Sequence, residues 1–382
     1  PITPMTTALL TRRQFSIVSA ATCVGAPRLA SAQDDKIILG QSAPFTGPAA
    51  QLGIQFYQGA KLHFDRVNAQ GGMRPIELRN LDDGYEPERC AENTRKFINE
   101  DNVLALFGYI GTPTSLAALP LAVKARVPFF APFTGAMSLR EPFNRNVFHV
   151  RASYNDETAL IVKQLTELGL RKIAVFHQND AYGKAGLDGV TLALAAQNLK
   201  PVATATVERN SEDVAAAVQK LVAAGPDAVV QVSAYKSCAA FVRAARKAGY
   251  GGTFYNVSFV GTQALADELG KDGAGVVVTQ VVPSPYTSTH PLAREFQDAI
   301  KKSNSQVQAN FSSLEGYLAA RVLVEGLRHG GGKASRDALV SGLESRGNQP
   351  VAGFAVSFSA NDHVASRYVA TSMLTGDGRV RT

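Results

Sequence analysis

Much of what would make this 382-residue chain an enzyme is missing from it. Its six histidines, His63, His149, His177, His290, His329 and His363, are scattered without ligand spacing, and no H-E-x-x-H occurs. No resident metal or other cofactor is therefore expected. There is no G-x-S-x-G elbow and no evident pairing of nucleophile and base, which argues against a secreted α/β hydrolase. The run Gly330-Gly331-Gly332-Lys333-Ala334-Ser335 superficially resembles a phosphate loop. It lacks Ser or Thr directly after the lysine and follows a helical pattern instead of a strand, so it reads as a linker. Basic residues are interspersed with acidic ones, leaving no nucleic-acid footprint. Beyond the N-terminal leader no apolar run approaches the ~20 residues of a membrane span. Cysteine is scarce: Cys23 falls in the leader, and Cys90 and Cys238, on different expected lobes, read as free buried thiols.

What is present begins with that leader. Thr11-Arg12-Arg13-Gln14-Phe15 precedes a short apolar stretch and then Ala30-Ser31-Ala32. A positive region, an apolar region and an A-x-A site form the layout of a secretory signal peptide over 1–32, cleaved after Ala32. The paired arginines resemble the twin-arginine variant. Loss of Arg12, Arg13 and Arg28 takes the formal charge from +7 to +4. The expected product is exported to the periplasm and not inserted in the membrane.

From residue 36 the chain alternates. Strands are expected at 36–41, 76–81, 103–107, 128–131, 172–177, 202–207, 228–232, 253–256 and 275–280. Helices are expected at 54–68, 87–100, 114–125, 156–168, 183–197, 211–223, 235–248, 292–302 and 314–329. The strands rich in Val, Ile, Leu and Phe are continuous apolar runs, as in parallel sheets covered by helices on both faces. On the first helix Phe56, Ala60, Phe64 and Val67 share a face, with Lys61, Asp65 and Arg66 opposite. Ser211-Glu212-Asp213 reads as a helix start. The pattern restarts near 172, and the tail from 351 reads as hairpins. The fold class is α/β, with two similar Rossmann-like lobes joined by a multi-strand hinge. Residues 33–150 plus 285–332 form the first lobe and 151–284 plus 333–382 the second, the chain crossing near 150, 284 and 333. A cleft between two such lobes is a default ligand site.

The stretch 107–140 delivers Thr112, Thr114, Thr134 and Ser138 to two consecutive strand ends, where open parallel sheets bind ligands and helix N-termini favour an anion. It suits holding a small molecule and not transforming it.

The order APFTGPAAQLG, VNAQGGMRPIEL, LDDGYEP, GYIGTPTS, VPFFAPFTGA, NDAYGKAG and FSANDH…GDGR resembles the branched-chain amino-acid-binding family. These are type I periplasmic solute-binding proteins of ABC transporters. The resemblance covers residues 36–382 and implies a two-lobed receptor that closes on its ligand and is read by a membrane permease. It implies that Thr112 donates to a ligand carboxylate, and that Phe133 and Gly135 grip the ligand through backbone and side chain. Tyr182 closes over the ligand from the second lobe, with Tyr235 a further aromatic there. Leu52 falls where amino-acid-binding members often carry an aromatic. Ser258 falls where they carry a glutamate that pairs with the α-ammonium.

Ser258 supplies no charge, and an unpaired buried ammonium is costly. Asp83 and Asp180 read as loop or helix caps. The expectation is therefore a carboxylate-bearing ligand without an α-amino group, aromatic or aliphatic, with Phe133, Tyr109, Tyr182 and Tyr235 as a mostly apolar wall and Thr134 as a further candidate contact. The alternatives are an amino-acid or amide receptor of the same family, or a soluble sensor partnering a membrane signalling receptor. A monomer is the simplest expectation for a clamshell of this kind.

Overall fold

The computed structural model describes residues 36–303 and 305–382. The expected leader, its cleavage site and Cys23 lie outside the described residues. In chain order the first elements are β1 (Ile37–Ala43), α1 (Ala50–Gln70), β2 (Ile76–Asp82), α2 (Pro87–Asn99), β3 (Ala105–Phe107), α3 (Thr112–Lys124), β4 (Phe129–Phe130) and β5 (Val147–Phe148). A second series follows: α4 (Tyr154–Glu167), β6 (Ile173–Gln178), α5 (Ala181–Ala195), β7 (Thr204–Val207), α6 (Ala215–Ala223), β8 (Ala228–Val232), α7 (Tyr235–Lys247), β9 (Thr253–Asn256), α8 (Thr262–Leu269) and β10 (Val277–Gln280). The chain ends with α9 (Pro291–Lys302), α10 (Phe311–His329), α11 (Arg336–Ser345), β11 (Ala370–Leu374) and β12 (Val380–Arg381).

Two sheets result, ordered β2-β1-β3-β4-β5 and β12-β11-β10-β9-β8-β6-β7. The first is parallel throughout. The second is parallel from β7 to β10, and β11 and β12 close it as antiparallel strands. The fully buried β8, AVVQV, shows why continuous apolar runs mark these strands. Helix starts are written locally. Ser153 and Asp156 form a reciprocal capping box on α4, and the Asp180 carboxylate accepts from the Tyr182 and Gly183 N–H groups at the start of α5. On α1, Phe56, Ala60, Phe64 and Val67 are buried, with Lys61 exposed opposite. The expected helix start at Ser211 is displaced. Its hydroxyl instead accepts from the Asp213 N–H, and α6 begins at Ala215.

The division of the tail also differs from expectation. Residues 333–345 do not join the second lobe: Arg336 donates to the Val103 and Ala125 carbonyls, and Arg145 forms a two-bond pair with Glu344. A Cβ on Gly342 would lie 2.1 Å from the Gly326 carbonyl, so α11 packs directly on α10. The glycine run at 330–332 turns the chain between two helices of one lobe. The third crossing comes later, between Val364, which bridges His149, and Ala370 in β11. Two crossing segments pair there, His149 N–H donating to His363 and Ala365 N–H donating to His149.

Candidate functional site

Strands β3 and β4 end side by side, Leu106 and Phe107 paired with Phe129 and Phe130. Beyond them Thr112 opens α3, and its Oγ1 lies 2.7 Å from Thr134 Oγ1. Thr112 does not cap α3. The residue before the helix is Gly111, and Thr114 turns its hydroxyl back to the Ile110 and Gly111 carbonyls. The first-turn N–H groups of Thr112 and Thr114 have no acceptor within their helix. Gly111 has φ +96°, a left-handed backbone, and a Cβ there would meet the Tyr85 ring at 2.3 Å. That glycine lets the Tyr85 ring approach the loop closely. Tyr85 itself holds φ +66°, pinned by Asp83 accepting its N–H at 2.8 Å.

The second lobe meets this edge through Phe259, in a single helical turn after β9. Its ring centroid lies 5.9 Å from Tyr85, 5.6 Å from Phe133 and 4.5 Å from Tyr182, and Tyr154 lies 5.5 Å from Tyr182. Aromatic pairs from both lobes thus converge on one ring. Leu52 of α1 is buried against Gly261, where φ is +79° and a Cβ would sit 2.5 Å from the leucine. Further out, Arg209 and Asn210 bond Glu86 at 2.8 Å each, and Asn210 also donates to the Gly84 carbonyl. The Gln178 amide donates to Tyr85 Oη at 3.3 Å.

Arg151, in the hinge segment between β5 and α4, is the charge at the centre. Only 1% of its side chain is exposed, and its guanidinium lies 4.5 Å above the Phe133 ring. Nη2 donates to Ser258 Oγ, and Nε pairs with Glu315 of α10 at 3.3 Å. Neither Nη1 nor Nε makes a hydrogen bond among the described residues, the Glu315 contact being an ion pair only, and Tyr182 Oη and Ser233 Oγ likewise have no hydrogen-bond partner there. Burial opposes the Arg151 charge, but Glu315 and Glu157 outweigh it and hold the guanidinium above its usual range. Burial pushes Glu315 up to about 7 against the pull of Arg151. Glu157 of α4 accepts from Ser258 N–H at 2.7 Å, Ser258 Oγ at 3.0 Å and Thr279 Oγ1 at 2.5 Å.

The expected site residues therefore divide. Thr112, Thr134, Phe133, Tyr182, Ser258 and Leu52 come together at the lobe junction. Tyr109 does not. Its ring packs on Phe129 at 5.0 Å and its hydroxyl lies 3.0 Å from Thr94 Oγ1, in the small core beneath α2 and α3. Phe133 contributes only its ring, because its N–H donates to Tyr109 and its carbonyl accepts from Gly111. Gly135 is taken up by the hinge: its carbonyl accepts from Tyr154 N–H, and a Cβ there would lie 2.6 Å from that nitrogen. Tyr235 is buried, its phenol beside the Gln51 backbone of the first lobe. Ser138 is exposed, outside the cluster. Asp83 and Asp180 serve their loops, as expected.

The sequence reading missed Arg151, Glu157, Glu315, Tyr154 and Phe259. It also gave Ser258 no acidic neighbour, whereas Glu157 lies directly beneath it. An arginine inside the apolar run FHVRASYN is the signal that could have found the charge. A surface cavity of ≈ 1060 Å³ lies elsewhere, between α1 and α9, edged by Lys61, Asp65, Arg66 and Glu295. Those charges already pair with one another, Lys61 with Asp65 and Arg66 with Glu295.

The sequence profile of the family described as periplasmic binding protein matches residues 36–379. A Leu/Ile/Val-binding protein homolog 7 of Brucella suis is 26% identical over 349 residues, covering 85% of this chain and 86% of that protein. The crystal structure of a possible leucine/isoleucine/valine-binding protein from Rhodopirellula baltica is similar at TM-score 0.86 and 36% identity, over 90% of this chain and 95% of that one. A substrate-binding periplasmic protein from Ralstonia solanacearum is similar at TM-score 0.85 and 32% identity, over 90% and 99%. By their names these relatives are binding proteins, one of them described as substrate-binding and periplasmic. Among the described residues no helix is long and apolar enough to cross a membrane. By its matched sequence and its two sheets, this chain belongs to the periplasmic binding protein family, as a type I member of the Leu/Ile/Val-binding kind.

Proposed function

We propose that the protein is the substrate receptor of an ABC importer for a small carboxylate-bearing molecule with an aromatic or aliphatic body. The observation that carries this reading is the buried Arg151, whose Nη1 has no partner among the described residues, at the junction that also holds the Thr112–Thr134 hydroxyl pair. A buried guanidinium with a spare donor suits an anion, and charge-assisted bonds are the strong ones. The rings of Phe133, Tyr182 and Phe259 offer the apolar remainder of the ligand a wall. The acid is held by the first lobe and hinge. Tyr182 and Phe259 then complete the site, and ligand shifts the population towards the closed state. The receptor works as a periplasmic monomer that presents both lobes to the permease.

A second reading is supported by the carboxylates of Glu157 and Glu315, to which the ammonium of an amino acid could bind. Glu157 is nearly saturated, since Ser258 and Thr279 already supply three donors. Glu315 is engaged by Arg151. The amine-free acid is therefore favoured. A thermal-shift panel of benzoate, phenylacetate, hexanoate, their amides and leucine separates the readings. Stabilisation by an acid but not its amide supports the proposal. Stabilisation by leucine alone overturns it in favour of the amino acid.

A further inference from the structure

Four charged side chains are buried together at the hinge: Arg140, Arg151, Glu157 and Glu315. Arg140 donates Nη2 to the carbonyls of Thr134, Arg151 and Ala152, and Nη1 and Nε have no partner among the described residues. Glu157 is fixed by Ser258 and Thr279. Glu315 differs from the other three. Its one charged partner is Arg151, at 3.3 Å, and no donor other than that guanidinium approaches it among the described residues.

Where Glu315 is ionised, the group of two cations and two anions is balanced while the site is free of ligand. An amine-free carboxylate brought to Arg151 adds a third negative charge to a region closed to water. An uncompensated buried charge of that kind is strongly unfavourable. The surroundings of Glu315 offer no other relief. The charges that act on it are Arg151, Glu157 and Arg140. Helix α1 meets α10 through the contacts of Gly59 with Ser313 and Gly316 with Phe56, and through His63 and Arg66 on Tyr317, and neither of those two groups is among the charges that act on Glu315. Glu295 of α9 is engaged by Arg321 and Tyr317, and Arg346 beyond α11 by Glu325.

We propose that Glu315 is the proton-linked counter-ion of the ligand site: a simple carboxylate takes over Arg151, and Glu315 binds one proton from solvent as it gives up that pairing. Acid and proton then enter together and the balance of two positive and two negative charges is restored. The proposal rests on the carboxylate reading above. It also sets specificity, because a zwitterionic amino acid carries its own cation and needs no proton. The position of Glu315 suits the role, since burial already brings its titration up to about 7 before any ligand adds its charge.

The test is calorimetric titration of the full protein with whichever of benzoate, phenylacetate or hexanoate stabilises it most, in phosphate and in Tris at matched pH. The difference in apparent enthalpy between buffers gives the protons taken up. The expected result is close to one proton per ligand at pH 8 and little at pH 6, with affinity falling roughly tenfold from pH 6 to pH 8. Glu315→Gln is expected to bind the same acid with no uptake and no pH dependence over that range. If the acid binds without proton uptake, or uptake persists in Glu315→Gln, the proposal fails and the carboxylate reading stands. If none of the three acids binds, the carboxylate reading fails and the proposal with it. The wild-type buffer comparison decides even if the variant does not fold.

Discussion

Thr112 and Thr134, at the ends of neighbouring strands, face each other with their hydroxyl oxygens 2.7 Å apart. Neither hydroxyl caps α3, Thr134 Oγ1 accepts from the Ala136 N–H, and in the proposed function the pair meets the ligand carboxylate together with Arg151. Thr112→Val removes one hydroxyl and keeps the shape. Net loss of a bond to a charged group is about 1.5–3 kcal/mol, so acid binding is expected to weaken ~10- to 100-fold. The unfolding midpoint should move by only a few degrees, and Thr112→Ser should restore binding, both checked by calorimetry and thermal melts.

Phe259 ties the lobes together through Tyr85 and Phe133 on the opposite side. Each aromatic pair is worth about 0.5–1.5 kcal/mol beyond its buried area. Phe259→Ala is expected to weaken ligand binding about tenfold or more and to favour the open form. Small-angle scattering should show a larger radius of gyration for the variant than for the wild type in the presence of ligand.

At the rim, Glu86 receives Arg209 and Asn210 across the lobes. Glu86 is 43% exposed, so the latch is screened by solvent. Glu86→Ala is expected to cost well under 1 kcal/mol, less than about fivefold in affinity, and the difference should vanish in ~0.5 M salt. A larger, salt-insensitive loss would move the seat of closure from the aromatic cluster to this rim.

His63 on α1 is packed edge-on against Tyr317, and burial, with Arg321, Arg66 and Arg328 adding to it, lowers its pKa to about 3. The folded state therefore binds this proton less readily than the unfolded chain. The stability tied to neutral His63 is full above about pH 6.5 and is lost as pH falls from there towards 3. His63→Phe should flatten the acid side of the stability profile between pH 6 and 4, measured by denaturant unfolding at each pH.

Much of the sheets was legible in the sequence because strands such as β3, β6 and β8 are short apolar runs set between helical patterns, whereas the two-residue β5 was too short to show. Ala228–Val232 and Thr253–Asn256 fall where the reading placed them. α11 was hidden behind the Gly330-Gly331-Gly332 turn, which looks the same whether it links two lobes or two helices of one lobe. In the site, hydroxyls at strand ends were readable, since topology alone delivers them there. Tyr109 was misplaced because the side chain direction after β3 depends on the left-handed turn at Gly108. Glu157 and Glu315 were invisible for another reason. They come from α4 and α10, and only the closing of the tertiary structure brings them to Ser258 and Arg151.

The central claim concerns Arg151, and one measurement tests it most directly: calorimetric titration of the wild type, Arg151→Met and the paired Arg151→Met/Glu315→Gln variant with the acid that stabilises the wild type most. Removing one partner of a buried pair costs about 3–5 kcal/mol, whereas the double variant leaves no unpaired carboxylate and separates folding from binding. The account predicts that both variants lose at least ~100-fold in affinity for the acid and that the double variant keeps its fold. Acid binding unchanged in a folded Arg151→Met protein, or leucine bound more tightly by the wild type than any amine-free acid, would contradict it.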